Sequence, residues 1–272
     1  MELSRFHTAK APEVARLRQL ADAGELPAPL DIQRPDMLAA LRVTAGLPAV
    51  IAEYKRASPS RGLICDTVSP EEALAQYAEG GAAACSVLTE EQYFKGSLSF
   101  LERGRAAQLA IGRALPLLRK DFLLDELQVR ATAATPASAF LLMVRLTPDA
   151  GKLRAMRELG ESFGMHAVVE IFDEGELSVA RESGARVIQV NARDLETFRV
   201  DRLACIRLIE RNRPLAGECW IQASGVMEGA HLVEAASAGY DSVLVGTSLM
   251  KDGAPGRALG DLIRDARARL GS

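Results

Sequence analysis

Several things are scarce in this chain, and each scarcity narrows its function. The four cysteines, Cys65, Cys85, Cys205 and Cys219, are scattered through 272 residues with no CxxC pair. Such spacing argues against a metal cluster and points to free, reduced thiols in a cytoplasmic protein. The three histidines, His7, His166 and His231, form no paired motif, which argues against zinc chemistry. No apolar run approaches the ~18 residues of a membrane span. The start, Met1-Glu2-Leu3-Ser4-Arg5-Phe6-His7, lacks the apolar segment of a secretory leader. Net charge is only −3, so the chain as a whole attracts neither nucleic acid nor an anionic membrane, although a local basic pocket stays open. Ser- or Gly-rich linkers are missing too.

What is present is core material. Hydrophobic residues make up 48% and charged residues 25%, an ordinary globular composition with ample apolar surface for one large domain. Apolar, strand-like segments occur at Ala49–Lys55, Ala84–Thr89, Leu115–Asp121, Ala139–Val144, Ala167–Ile171, Val187–Asn191, Cys219–Ala223 and Ser242–Gly246. Between and after them lie helical patterns at Pro70–Glu79, Ser97–Ala107, Asp125–Thr135, Ala150–Ser162, Glu174–Ser183, Arg202–Arg211, Gly229–Ala238 and Gly256–Leu270. Eight strand–helix units with short connections predict an α/β fold, a single (β/α)8 TIM barrel over 49–272. An open doubly wound sheet is the alternative. It usually carries a Gly-rich dinucleotide loop after an early strand, and Ser58-Pro59-Ser60-Arg61-Gly62 is not one.

Residues 1–48 read as an N-terminal helical extension packed on the barrel. Ala9–Ala21 has helical spacing at Val14, Leu17 and Leu20. A Pro-punctuated loop, Gly24 to Pro35, precedes a short helix, Asp36 to Arg42, with Asp36 as its cap.

In such a barrel the C-terminal strand ends face the active site. Seven of the eight ends carry groups able to act on a substrate. Alternation places Glu53 and Lys55 on one side of the first strand, as a surface ion pair or as part of a catalytic rim. The second offers Ser86 and Thr89, and the third ends in Arg119-Lys120-Asp121. The fifth ends in Glu170-Ile171, and the sixth in Asn191-Ala192-Arg193. The fourth, Met143-Val144-Arg145, is the least distinctive. Burial and neighbouring cations can bring a lysine such as Lys120 toward general-acid duty. Glu170, at the end of an apolar strand, needs a partner or a task, and Lys55 and Lys120 both stand on nearby ends. Arg193 suits a substrate anion or a clamp on Glu53 or another rim acid. Ser224-Gly225 and Gly246-Thr247 close the last two strands, where barrels often hold phosphate on backbone amides.

Taken together, Glu53-Tyr54-Lys55-Arg56-Ala57-Ser58-Pro59-Ser60, Ser86 to Glu90 with Tyr93 to Ser97, Leu118-Arg119-Lys120-Asp121-Phe122, Val169-Glu170-Ile171, Asn191 to Leu195 and Ser224-Gly225-Val226 resemble the indole-3-glycerol phosphate synthase family. The likeness runs from about residue 35 to Met250 in order and spacing. It implies a carbon–carbon lyase of tryptophan biosynthesis that closes, decarboxylates and dehydrates 1-(2-carboxyphenylamino)-1-deoxyribulose 5-phosphate. No cofactor or metal is implied. A small phosphorylated substrate is the expected partner, with no nucleic acid and no membrane, and the oligomeric state stays open, a monomer included. By the same resemblance Lys120 is the general acid and Glu170 the base of the dehydration. Lys55 binds the substrate carboxylate or shares the acid role, while Glu53 and Asn191 orient these groups and Arg193 braces them. Phe122 and Leu195 form an apolar wall, and Ser58, Ser224, Gly225, Gly246 and Thr247 hold the phosphate.

Three positions depart from the family pattern: Ala223 stands where Glu is usual, Gln189 where Gly is common, and Phe172 where His is common. Ala223 supports an alternative, a weakened or inactive phosphate-ligand-binding homologue. A phosphoribosylanthranilate isomerase-like barrel is less supported, because that chemistry commonly uses a Cys/Asp pair and Cys65 lies beyond the first rim.

Overall fold

The computed structural model describes residues 3–42 and 46–271. Residues 1, 2 and 43–45 of the expected 1–48 extension, and residue 272 of the expected 49–272 barrel, lie outside the described residues. Eight parallel strands close into a barrel: β1 (Ala49–Tyr54), β2 (Ala84–Leu88), β3 (Leu117–Lys120), β4 (Ala139–Met143), β5 (His166–Ile171), β6 (Val187–Asn191), β7 (Cys219–Ala223) and β8 (Ser242–Val245). Each pairs with its sequence neighbours, and β8 closes on β1 through Ala49↔Ser242 to Ala52↔Val245. Helices connect successive strands, as the alternating pattern predicts.

The strands are apolar on both faces because both are covered. One face of each fills the barrel, with Ile51, Leu118, Leu141, Val168, Ile221 and Leu244 in one cluster. The other supports the helices, with Val50, Val87, Phe140, Val169, Ile188 and Trp220 in a second. Helix starts are fixed by acceptors in the preceding loops. Ser69, Asp125, Asp149, Asp173 and Asp201 each accept a first-turn amide hydrogen bond, and Ser69 and Asp125 form full capping boxes. Burial pushes the thiols of Cys85, Cys205 and Cys219 up to about 12, so these cysteines act as packing groups.

Two boundaries differ instructively from the sequence reading. The third strand begins at Leu117 rather than Leu115. Pro116, which has no N–H for the ladder, precedes it and contributes only its carbonyl, to Cys85 N. It ends at Lys120 because Asp121 turns its carboxylate back to accept from Phe122 N at 2.8 Å. The first helix, α1, spans Ser4–Asp22, starting five residues before the expected Ala9. Its buried face is Phe6, Lys10 and Leu17. Lys10 is a polar letter at a packed position, so hydrophobic periodicity alone misses that turn.

The segment after α1 descends the outside of the barrel. Arg34 donates to the carbonyls of Thr135 at 2.6 Å, Ala133 at 2.7 Å and Phe163 at 3.3 Å. The short helix α2, Met37–Leu41, is capped by Asp36 as expected, with Ala39 N donating to Oδ1 at 2.9 Å. Met37 and Leu41 are fully buried with Ala49, Ile51 and Ala84, and plug the end of the barrel where strands begin. Thus α2 closes the base, while α1 lies across the rim that carries the chemistry.

Candidate active site

The site follows from strand alternation. On β1, Glu53 points inward and Lys55 returns beside it, Nζ to Oε1 at 2.7 Å. The carboxylate is buried and also accepts from Ser86 Oγ of β2 at 3.3 Å. Gly246, at the end of β8, makes room for it. A Cβ there would lie 2.6 Å from Glu53 Oε1. The expected phosphate role of Gly246 therefore acquires a packing reason beside it.

Across the barrel, Lys120 Nζ lies 3.3 Å from Glu170 Oε2. Glu170 is completely buried, and Gln189 Nε2 donates to the same Oε2. Among the described residues, Glu170 Oε1 has no hydrogen-bond partner. The two lysines that the sequence left open as partners for Glu170 are thus divided: Lys120 takes Glu170 and Lys55 takes Glu53.

Arg119 does not act as the neighbouring cation on Lys120's side. It points to the outer face, where its guanidinium is 1% exposed and bonds Asp121 at 2.9 Å and Glu13 of α1 at 2.9 Å. Lys10 of α1 reaches Asp121 at 2.8 Å, and Thr89 donates to Asp121 at 2.6 Å. Thr89 therefore belongs to this outer network, unlike the inward Ser86. Burial would raise the Asp121 carboxyl, but the charges of Arg119 and Lys10 outweigh it and hold it at about 2.

On the β6 side, Asn191 Oδ1 accepts from Arg193 N at 3.0 Å, which leaves its amide donor toward the cavity. Arg193 is not the clamp on a rim acid that one reading expected: its Nη1 donates to Phe198 O at 3.1 Å. Burial, then the charge of nearby Arg61, pulls the guanidinium of Arg193 below its ordinary value. Arg145, read as indistinctive, pairs with Glu176 at 2.7 Å and covers the Phe172 ring at 4.2 Å, bracing the loop after β5.

These groups surround a cavity of about 110 Å³ lined by Glu53, Lys55, Ser58, Lys120, Glu170 and Asn191 on its polar side. Phe6, Phe94, Phe122, Leu195 and Phe198 form its apolar wall. Phe122 stacks on Phe6 of α1 at 4.3 Å between ring centres, and Arg5 of α1 donates to Leu195 O at 2.8 Å. Phe6, Phe94 and Phe198 escape a reading of strand ends because they sit on α1, on the short helix Glu91–Phe94 and on a loop. Phe94 falls inside the Tyr93 to Ser97 motif, whereas Phe6 and Phe198 have no sequence signal beyond aromatic character in a chain with 5% aromatics.

A wider cavity of about 810 Å³ adjoins it, lined by Ser224, Gly225, Gly246, Thr247, Arg61 and Lys251 among others. Ser224 and Gly225 both take positive φ, 71° and 81°. A Cβ on Gly225 would meet Arg202 Cγ at 2.7 Å, so conformation and space both require glycine there. All the expected site residues thus gather on one rim. Among the described residues no group of three His, Cys, Asp or Glu side chains is placed to hold a metal ion.

The sequence model of the indole-3-glycerol phosphate synthase family matches residues 3–262. The chain belongs to the indole-3-glycerol phosphate synthase family. Relatives of that name include proteins of Mycolicibacterium vanbaalenii, 43% identical over 89% of this chain and 83% of that protein, and Mycobacterium leprae, 43% identical over 89% and 84%. The Dehalococcoides mccartyi synthase is 39% identical over 92% of this chain and 95% of its own. Among solved structures, 3-hexulose-6-phosphate synthase from Salmonella typhimurium superposes with a TM-score of 0.61 at 12% identity, covering 81% of this chain and 99% of that one. Thiamine phosphate pyrophosphorylase from Pyrococcus furiosus gives 0.60 at 15%, covering 87% and 100%. These two likenesses concern the barrel fold. Within the synthase family fold, Ala223 is 2% exposed at the cavity wall, in register with Asn191.

Proposed function

We propose that this family member performs the indole ring closure on this rim, with Lys120 as general acid and Glu170 as base. The observation that carries the assignment is the Lys120–Glu170 contact at 3.3 Å, facing the Lys55–Glu53 pair across one aromatic-walled cavity. The substrate is 1-(2-carboxyphenylamino)-1-deoxyribulose 5-phosphate, and the products are indole-3-glycerol phosphate, carbon dioxide and water. The reaction needs a cation near the ketone oxygen as the new carbon–carbon bond forms, and Lys120 supplies it with a proton to give. Loss of carbon dioxide returns the electron pair to the ring. Dehydration then breaks the bond to the former ketone oxygen: the hydroxyl takes a second proton from a rim lysine and leaves as water, while Glu170 accepts the proton that the new ring releases. A closed, largely apolar pocket strengthens each of these charge interactions.

Lys55 engages the substrate carboxylate, with Glu53 and Ser86 holding it in place. Asn191 meets sugar hydroxyls, and Phe122 and Leu195 flank the aryl ring. The phosphate occupies the adjoining cavity near Ser58, Ser224, Gly225, Gly246 and Thr247. A domain division at 1–48 and 49–272 accompanies this reading, with the N-terminal part completing the aryl wall through Phe6.

The test is a turnover assay that follows indole-3-glycerol phosphate fluorescence, run on the native chain and on Ala223→Glu. Turnover by the native chain is expected, with the variant within about tenfold of it. Binding of a substrate analogue without turnover in the native chain would overturn the reading and favour a ligand-binding homologue.

A further inference from the structure

Gln189 lies on the inner face of β6, paired in register with Glu170 of β5, and is fully buried. It does not line the cavity, so substrate has no access to it. Its Nε2 donates to Glu170 Oε2, the oxygen that Lys120 Nζ also approaches at 3.3 Å. Glu170 Oε1 and Gln189 Oε1 have no partner among the described residues. Buried polar atoms are nearly always paired, so two donors on one carboxylate oxygen and none on the other is a marked asymmetry. An ionised carboxylate only accepts, which fixes the amide with its nitrogen toward Glu170.

We propose that Gln189 is a positioning residue for the base: it tethers Glu170 through Oε2, favours the ionised carboxylate, and leaves Oε1 as the oxygen that takes the substrate proton. This rests on Glu170 being the base. The groups facing Glu170 are few. β3 contributes Lys120; Glu53 and Lys55 of the β1 end, and Asn191 and Arg193 of the β6 end, share the same cavity. Leu88 of β2, Met143 of β4, Ala223 of β7 and Leu244 of β8 offer no charge. Lys120 is also the proposed acid, so it cannot serve as a constant tether while its own proton is in transit. A neutral amide has no proton to lose near neutral pH and holds the carboxylate throughout. A hydrogen bond to the charged form favours that form.

The experiment is the pH profile of kcat/KM for the native chain, Gln189→Met and Glu170→Gln. Methionine keeps the length and removes the donor. The acid limb is expected to move up by about one pH unit in Q189M, the order of one charge-assisted hydrogen bond. Its rate should recover to within about threefold of the native value at alkaline pH, with KM changed by less than about twofold. A loss of kcat that is equal at every pH, or an unmoved acid limb, overturns the role of Gln189. E170Q separates the two ideas: if it keeps native activity, the base assignment fails, whatever Q189M does. Should Q189M not fold, the native chain provides the readout by NMR. The Gln189 side-chain amide resonances are expected to titrate with the acid limb and to stop doing so in E170Q. Resonances indifferent to pH would overturn the proposal.

Discussion

Three consecutive residues, Arg119, Lys120 and Asp121, divide between two networks that follow opposite rules. On the outer face, Arg119 and Asp121 join Lys10, Glu13 and Thr89 in a closed network, with the contacts of Asp121 and the Arg119–Glu13 pair at 2.6 to 2.9 Å. Arg119 and Asp121 are each about 1% exposed in their side chains, and each charge has an opposite charge beside it. On the inner face, Lys120 meets Glu170 at the longer distance of 3.3 Å, and Glu170 Oε1 has no partner among the described residues. Buried charges are costly unless paired. The outer network meets that cost in full and fastens α1 to β3. The inner one leaves part of it unmet, at the place where a substrate proton has to be received. A complete network holds structure; an incomplete one holds chemistry in readiness.

This contrast is breakable by mutation. The largest effect is expected on the inner side, where Lys120→Ala and Glu170→Gln should each lower kcat by about a thousandfold, the range of a general acid or base. Their thermal midpoints should stay within a few degrees of the native chain. Fluorescence turnover and calorimetry on the same samples check both halves of that statement. Near-native turnover would remove the catalytic assignment.

Breaking the outer side should do the reverse. Asp121→Ala removes one of the two acids that Arg119 and Lys10 share and leaves Glu13 beside both buried cations. A loss of about 3 kcal/mol in urea unfolding is expected, the low end of the scale for removing one partner of a buried pair, because Glu13 still faces both cations. A loss below about 1 kcal/mol would show that α1 is not held by this network.

Gly246→Ala lies between the two. The new Cβ would sit 2.6 Å from Glu53 Oε1, in a residue that orients Lys55. Displacing a positioned group by about 1 Å can cost about a hundredfold in rate. The expectation is a fall of that order in kcat/KM, with unfolding free energy changed by less than about 2 kcal/mol. Unaltered kcat/KM would remove Glu53 from the working rim.

The smallest effect is in pH. Asp121 is held at about 2 by its cations. Its depressed folded value means the stabilisation is complete above the unfolded value near 4 and is lost as pH falls through the folded one. The window is therefore about pH 4 to 2, and the amount about 2 kcal/mol. Asp121→Asn should flatten the acid side of the stability curve across that window. An unchanged slope would break the link between this network and acid unfolding.

Eight apolar segments at regular spacing, each flanked by helical pattern and turn residues, leave a barrel as the simplest closed solution, because every strand is covered on both faces. The rim residues were legible for the same reason. Alternation along a strand assigns a face, and strand ends assign a height, so Glu53, Lys55, Lys120, Glu170 and Asn191 could be placed without coordinates. The N-terminal contribution could not be read this way. α1 packs through Phe6 and Lys10, and Lys10 is buried only because Asp121 and Glu13 await it from elsewhere in space.

Local patterns along the chain set the architecture and the inventory of charges at the mouth. Strand period, helix period and capping residues are local properties. The pairings emerge only in the folded molecule: Lys120 with Glu170, Lys55 with Glu53, Arg193 with a carbonyl rather than an acid, and Gln189 beneath the proposed base. Which charge meets which depends on register and on ångström-scale distances across the barrel. Those are set by the whole packed core, and no single stretch of the chain contains them.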